Sequence, residues 1–237
     1  MIDPLRRVLV KRPDEVFASA DPQRWRYAGR PDLDEARREH DEFAAKLRSA
    51  GAEVLYHDEI LGDLCDAIYV FDPLLMTNEG AVLLNMGKDL RRGEEASLGR
   101  RIREAGVPLI GGLEGEARAE GGDLLWLDEA TLAVGLGFRT NAAGLESLRR
   151  ILSRIGVDVL PAELPYHEGP ASCLHLLSLI SLVDEGAAVV FPPLLPVPFW
   201  ERLRALGFRL IPVPPEEFPT MGPNVLALAP GRGAPPA

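Results

Sequence analysis

Apolar positions follow a pattern that returns about every 50 residues along the chain. Over residues 33–51 they recur three and four apart, which predicts an amphipathic helix followed by a strand. The same ending occurs four times, as AGAEVL, AGVPLI, IGVDVL and LGFRLI. Glycine stands at the corresponding position in each copy: Gly51, Gly106, Gly156 and Gly207. At such a position a helix ends in the left-handed conformation that glycine adopts without strain.

A second repeated pattern lies upstream of these helices. Apolar runs flank a polar turn in LLMTNEGAVLLNM (74–86), LLWLDEATLAVGL (124–136) and LLSLISLVDEGAAVVF (176–191), which predicts strand–turn–strand units. The repeating unit is therefore strand–turn–strand–helix–strand. A fixed period of this length predicts a propeller or an array, in which each unit packs its apolar face on its neighbours. The alternative is a general α/β domain with accidental self-similarity, which the shared phase of both patterns disfavours.

The repeat predicts one α/β-propeller domain over residues 1–237, with modules at about 5–56, 67–110, 119–160 and 172–213. A fifth module is partial, at 224–237, with a strand over 224–228 and a turn over 229–232. We expect such a module to leave neighbouring strands with an unpaired edge, which favours association of copies or poor solubility.

Composition and charge narrow the functional classes. The formal net charge is −10, and there is no basic stripe with interleaved aromatic residues, so a nucleic-acid partner is not expected. A small cationic or zwitterionic ligand suits an acidic protein better. The apolar run 174–183 is too short to span a bilayer, which needs about 20 residues. Two cysteines do not form a disulfide framework, and the chain is expected to be cytoplasmic.

Polar residues at the entry ends of successive modules are the best candidates for chemistry. They are Asp72, the pair Glu120 and Asp123 around two glycines, Arg139 beside a predicted helix N-cap at 140–141, and His175. Carboxylates can bind a guanidinium by paired hydrogen bonds, and an arginine near a helix N-terminus can bind a carboxylate. A histidine oriented by Glu120 can transfer protons. In a ring of modules these ends would face one cavity.

Each candidate also has a simpler structural interpretation. Asp72 before a proline is typical of a turn, Arg139 of a solvated surface charge, and His175 of a core histidine. A functional role is favoured only because all the candidates occupy equivalent positions in successive modules. Cys173 and His175 fit no standard metal spacing, which leaves Cys173 as a predicted buried thiol, and His40 and His57 are expected at the surface.

The motifs YVFDP (69–73), EGGD (120–123), GLGFRTN (135–141) and LHLLS (174–178) resemble those of the guanidino-group-modifying (pentein) superfamily of five-bladed α/β propellers. The resemblance spans nearly the whole chain. The last motif is more similar to dimethylarginine dimethylaminohydrolases than to arginine deiminases, which carry aspartate where this chain has Leu177.

The resemblance implies hydrolysis of a guanidine C–N bond through a covalent thiouronium, without metal or organic cofactor. Asp72 would hold the guanidinium and Arg139 the α-carboxylate of arginine or a methylated arginine. His175 would be the general acid and base, Glu120 its carboxylate partner, and Asp123 a supporting residue.

The family nucleophile is a cysteine near the C-terminus, in the fifth module, and neither Cys65 nor Cys173 matches its place. We therefore expect activity of these residues to be absent or very low, because proton transfer alone supplies about 10²–10⁴-fold. Two alternatives are a non-catalytic module that binds guanidino ligands and a ring completed by a partner's segment.

Overall fold

The computed structural model describes residues 2–170 and 172–234. Among the described residues, the chain divides into two compact units, the first formed by residues 5–112 and the second by residues 113–234 with residues 2–4. Both consist of short sheets with helices packed against them.

The first unit contains two sheets, four α-helices and two short 3₁₀ helices among its described residues. A parallel pair joins β1 to β2, and a three-stranded sheet has the order β3-β4-β5, antiparallel and then parallel. The elements in chain order are β1 Arg7–Val10, α1 Glu15–Ala18, α2 Pro22–Trp25, α3 Leu33–Ser49, β2 Glu53–Tyr56, β3 Leu74–Thr77, β4 Gly80–Leu83, α4 Glu94–Glu104 and β5 Leu109–Gly112.

The helix predicted over 33–51 is α3, and its ends have the expected chemistry. The Asp32 carboxylate accepts a hydrogen bond from the Glu35 N–H at 3.0 Å, which caps the N-terminus. Two acidic residues lie in the first turn and two basic residues in the last, which suits the helix dipole. Gly51 follows the helix with φ +96°, so the predicted glycine stop is confirmed.

Helix α4 packs closely on the three-stranded sheet of the first unit. Its Leu98 and Ile102 join Leu74 and Ala81 in one buried cluster. Gly99 lies where a Cβ atom would come within 2.9 Å of Leu83 Cδ2, so glycine at this position permits the close approach.

The second unit contains two three-stranded sheets, a short hairpin and two long helices among its described residues. The sheets have the orders β6-β7-β8 and β9-β10-β11, each with an antiparallel and then a parallel pairing. The elements are β6 Leu124–Asp128, β7 Thr131–Leu136, α5 Ala142–Leu152, β8 Asp158–Glu163, β9 Ile180–Asp184, β10 Ala187–Val190, α6 Val197–Ala205, β11 Arg209–Pro212, β12 Leu226–Ala229 and β13 Arg232–Ala234.

A continuous apolar cluster lies between these elements. Ile180 of β9, Ala188 of β10 and Ala133 of β7 are fully buried in it, together with Phe199 and Leu203 of α6. Helix α6 therefore packs through an apolar face, as its sequence pattern predicts. Among the described residues, no helix has the length and apolar character that crossing a membrane requires.

The predicted helix-ending glycines all adopt left-handed conformations. Gly106, Gly156 and Gly207 have φ values of +83°, +74° and +86°, close to that of Gly51. Each is followed by a strand that pairs in parallel with an earlier strand: β2, β5, β8 and β11. The helix–glycine–strand period read from the sequence is confirmed at all four positions.

The predicted strand–turn–strand units differ from the structure in two places. Residues 176–178 form a short 3₁₀ helix, and strand β9 begins only at Ile180. The His175 N–H donates to the Ser178 hydroxyl and the Leu176 N–H to the Asp123 carboxylate. These hydrogen bonds favour a turn over the strand that the apolar pattern predicts. In the fifth module, β12 pairs with β13 about a turn at 230–231, so the strand predicted over 224–228 begins two residues later and the turn is shorter.

Candidate functional site

Glu120, Arg139 and His175 form a hydrogen-bonded group in the second unit. The Nε2 atom of His175 lies 2.9 Å from Oε2 of Glu120, and Arg139 Nη1 donates to the same oxygen at 3.1 Å. The Glu120 side chain is fully buried, while those of Arg139 and His175 are 12% and 13% exposed. A buried carboxylate thus meets two partners that can carry positive charge, as a buried charge requires.

The glycine pair after Glu120 lets the histidine ring approach the backbone. Gly121–Asp123 forms a short 3₁₀ helix that leads into β6. A Cβ atom on Gly122 would lie 2.4 Å from Nδ1 of His175 and 2.6 Å from its Cγ, so any other residue would displace the ring. Glycine at position 122 therefore permits the His175 ring to lie against the backbone.

Asp123 connects the two segments that carry Arg139 and His175. Its carboxylate accepts a hydrogen bond from the Thr140 hydroxyl at 2.7 Å and one from the Leu176 N–H at 3.0 Å. Burial raises the pKa of Asp123 to about 6, although the nearby His175 and these two donors oppose the rise. Because Thr140 follows Arg139 and Leu176 follows His175 in the chain, Asp123 orients both.

The start of helix α5 is tied to the segment that leads to Glu120. The Asn141 side chain accepts hydrogen bonds from the N–H groups of Gly144 and Arg118, at 2.8 and 3.0 Å. Asn141 also donates through its amide to the Glu116 carbonyl at 2.8 Å. The N-cap predicted at 140–141 is therefore Asn141, whereas Thr140 binds Asp123.

Asp72 lies in the first unit, where it already binds a guanidinium of the chain itself. Arg91 Nη1 donates to Asp72 Oδ2 at 2.6 Å, and the same guanidinium makes a bidentate contact with Glu94. Arg91 also donates to the Tyr69 carbonyl at 3.0 Å. Burial raises the pKa of Glu94, and the charge of Arg91 opposes that rise. Asp72 is thus more than a turn residue, and its predicted contact with the guanidinium of a ligand stays a prediction.

Three expectations about cysteine and histidine are wrong. Cys173 is exposed, because it lies in a loop rather than in a packed element, and its Sγ atom is 3.5 Å from His175 Nδ1. His57 is buried at 3% exposure, with Nε2 3.2 Å from the hydroxyl of Ser97 on α4, and burial lowers its pKa. His40 is half-buried against the Tyr56 ring. The environments of His57 and His40 come from neighbours that are distant in sequence.

Several residues of these networks were not predicted from the sequence. Arg91 has no signal beyond its position three residues before Glu94, a spacing at which side chains meet on a helical turn. Thr140 has only the local signal of a helix-cap residue, because its partner Asp123 is 17 residues earlier. By contrast, the site residues that the sequence predicted in the second unit lie in one hydrogen-bonded network. They are Glu120, Asp123, Arg139 and His175.

The arrangement of Glu120, Arg139 and His175 allows the imidazole to transfer a proton beside two charged side chains. An imidazole whose Nε2 contacts a buried carboxylate is held in one orientation, and the carboxylate stabilises positive charge on the ring. Arg139 adds a second positive charge beside it, which can attract a carboxylate ligand.

Comparison with known proteins identifies relatives over nearly the whole chain. The model of the family described as N,N dimethylarginine dimethylhydrolase, eukaryotic, matches residues 23–234. The N(G),N(G)-dimethylarginine dimethylaminohydrolase of Streptomyces coelicolor is 28% identical over 231 residues, which cover 97% of this chain and 81% of that protein. An arginine deiminase of Rhodococcus opacus is 25% identical over 79% of this chain and 67% of that protein.

Solved structures show the same fold. A mutant of the Pseudomonas aeruginosa dimethylarginine dimethylaminohydrolase complexed with citrulline superposes with a TM-score of 0.77 at 20% identity, covering 94% of this chain and 81% of that one. The N-terminal domain of ArgZ, covalently bound to a reaction intermediate, gives a TM-score of 0.78 at 18% identity, covering 94% and 80%. The fold is therefore the α/β pentein fold, and the chain belongs to the dimethylarginine dimethylaminohydrolase family of guanidino-group hydrolases.

Proposed function

We propose that this protein binds arginine or a methylated arginine and acts on its guanidine C–N bond, with Glu120, Arg139 and His175 as the polar centre of the site. The observation that carries the proposal is the buried Glu120 carboxylate that contacts His175 at 2.9 Å and Arg139 at 3.1 Å. His175 transfers protons, Glu120 orients it, and Arg139 binds the α-carboxylate of the ligand. Asp72 holds the guanidinium, and Asp123 supports the segments of Arg139 and His175.

The net reaction adds water at the guanidino carbon and releases an amine or ammonia, leaving a ureido group. His175 gives a proton to the leaving nitrogen and takes one from the incoming water, so one residue serves as both general acid and general base. The citrulline complex of the Pseudomonas aeruginosa relative supports this assignment, because citrulline carries a ureido group.

The arrangement of the chain belongs to the same proposal. We infer one propeller domain over residues 1–237, in which five α/β modules with pseudo-fivefold symmetry surround the ligand. Four helix-ending glycines and four parallel strand pairs support equivalent modules, and the β12–β13 hairpin supports a further one. Association of copies through an open edge stays a prediction, as do the absence of a cofactor and of a metal.

The rate of turnover depends on a nucleophile for the guanidino carbon. Cys65 is buried and burial raises its pKa, so it is a poor nucleophile. Slow turnover by these residues stays a prediction, and ligand binding without turnover is the second candidate function. The Glu120–Arg139 pair favours binding in either case, since it does not depend on the nucleophile.

The proposal is tested by calorimetric binding of arginine, NG,NG-dimethylarginine and citrulline, together with measured release of amine, ammonia and ureido product. Arg139→Ala is expected to weaken binding about tenfold or more, because a charged hydrogen bond contributes about 1.5–3 kcal/mol. His175→Ala is expected to abolish any turnover while leaving binding in place.

Arg149→Ala is the matched control, since Arg149 is an exposed arginine paired with Glu146 on the outside of α5. Equal binding by Arg139→Ala, Arg149→Ala and the unaltered protein would remove Arg139 from the site. Absence of binding by all three ligands in the folded protein would reject the proposed function itself.

A further inference from the structure

In the second unit a thiol contacts an imidazole, and the imidazole contacts a carboxylate. Cys173 Sγ lies 3.5 Å from Nδ1 of His175 and 3.8 Å from its Nε2. Through Nε2 the ring also contacts Glu120 Oε2 at 2.9 Å. A nucleophile within reach of a base that a third group orients is the geometric signature of an activated nucleophile.

Exposure changes steadily along this group. Cys173 is exposed, the His175 side chain is 13% exposed, and the Glu120 side chain is fully buried. The ring also lies against Gly122 and is tied at its backbone N–H to the Ser178 hydroxyl at 3.2 Å. The thiol is therefore the member that a reagent from solution meets, and the base behind it is held in position.

The two sulfur–nitrogen distances are nearly equal, so the sulfur contacts the ring as a whole rather than one nitrogen alone. The nearer nitrogen, Nδ1, is the one that does not contact Glu120, so it is placed to take a proton from the thiol. The buried Glu120 carboxylate stabilises the protonated ring through Nε2.

We propose that Cys173 is a nucleophilic thiol that His175 and Glu120 activate, and a site of covalent modification by small carbon electrophiles such as α-halo carbonyl and α,β-unsaturated carbonyl compounds. The proposed guanidine chemistry assigns no task to Cys173, so this inference stands independently of it. Modification would place a bulky group against His175 and block the site.

The bond changes follow from the geometry. With an α-halo amide, the Cys173 proton passes to His175, the sulfur forms a bond to carbon, and halide leaves with its electron pair. With an unsaturated carbonyl compound, sulfur adds at the β-carbon, the double bond opens, and a proton from the protonated His175 reaches the α-carbon. Neither step needs an oxidant or a reductant.

The chain contains an internal reference for the test. Cys65 is the other cysteine of the sequence, and it is buried beside Ala20 and Trp25. Its pKa is raised by burial, so it should react slowly in the folded protein. In the unfolded chain both thiols are equally open to reagent, which gives each cysteine its own baseline.

The experiment measures the rate of carbamidomethylation at each cysteine with iodoacetamide at pH 7, by peptide mass spectrometry, in folded protein and in urea. We expect folded Cys173 to react about fivefold or more faster than the same residue in urea, and Cys65 to react far more slowly when folded. His175→Asn and Glu120→Gln are each expected to lower the Cys173 rate towards its value in urea.

His167→Asn is the matched control, because His167 is an exposed histidine earlier in the same connection and packs against the Phe218 ring. In the His167→Asn variant, the rate of carbamidomethylation at Cys173 is expected to equal that in the unaltered protein. A folded rate at or below the rate in urea would overturn the proposal without any variant. So would an unchanged rate in a folded His175→Asn protein.

Discussion

Gly122 determines how closely the His175 ring can approach Glu120. In Gly122→Ala the new methyl group would lie 2.4 Å from Nδ1, so the ring must move and its contact with Glu120 must lengthen. Turnover is expected to fall about 10²-fold, as for a catalytic group displaced by roughly 1 Å. Ureido product formation measures this, and histidine nitrogen NMR reports the ring movement even in the absence of turnover.

Gly29→Ala is the control for this change, since a methyl group added at Gly29 would meet no atom within 4 Å and its φ is not positive. Unchanged histidine spectra in Gly122→Ala would contradict the close approach.

Thr140 stabilises the charged form of a buried carboxylate. The folded pKa of Asp123 is about 6, above the usual value of about 3.9, so the folded protein holds the Asp123 proton more tightly than the unfolded chain does. The stabilisation that this proton provides is complete below a pH of about 4 and is lost as the pH rises through about 6. The Thr140 hydroxyl offsets part of that loss by donating to the ionised group. Thr140→Val should therefore cost about 1.5–3 kcal/mol at pH 7.5 and less at pH 5.

Urea unfolding of the variant and the unaltered protein at both pH values measures the difference. Thr131→Val, at the opposite end of β7 from the site, provides the control. A loss of equal size at the two pH values would show that the hydroxyl does not support the charge on Asp123.

At the scale of elements, α5 approaches the segment before Glu120 through Gly144. A Cβ atom there would lie 1.9 Å from the Arg118 carbonyl oxygen, so Gly144→Ala must separate the helix from that segment. Gly156 follows α5 with φ +74°, and a Cβ atom added there would meet nothing within 4 Å, so Gly156→Ala introduces only backbone strain of about 1–2 kcal/mol.

Both variants should be less stable, but only Gly144→Ala should speed amide hydrogen exchange at Asn141, whose N–H bonds the Arg118 carbonyl at 3.1 Å. Unchanged exchange at Asn141 in that variant would show that the helix start tolerates the added methyl group.

Most elements could be predicted because their signals are local. Helix α3 carries its cap, its charge pattern and its terminal glycine within about 20 residues of sequence. The turn at 176–178 could not be predicted, because the carboxylate that holds Leu176 comes from Asp123, 53 residues earlier. An apolar run read alone is consistent with a strand there, and only the distant partner decides otherwise.

At the scale of the whole molecule, the acidic composition determines colloidal behaviour. A net charge of −10 at pH 7 and a sequence pI of about 5.0 imply that charge repulsion between molecules disappears near pH 5. Solubility is therefore expected to pass through a minimum there and to recover towards pH 8. Light scattering across pH 4–8 checks this, and a minimum at neutral pH would indicate attraction through apolar surface instead.

The sequence by itself determined the repeat, the positions of the helix ends and the residue types of the candidate site. These depend on neighbours within one turn or one strand, so spacing alone carries them. It also carried the motifs that resemble the guanidino-modifying superfamily, which the match to residues 23–234 confirms at the level of the family.

Only the tertiary structure decided which of these residues meet. It brought His175 to Glu120 across 55 positions of sequence, bound Asp72 to Arg91 and buried His57. Such contacts depend on how sheets and helices pack and on which buried charges must find partners. That information lies in long-range geometry, so no local pattern in the chain could supply it.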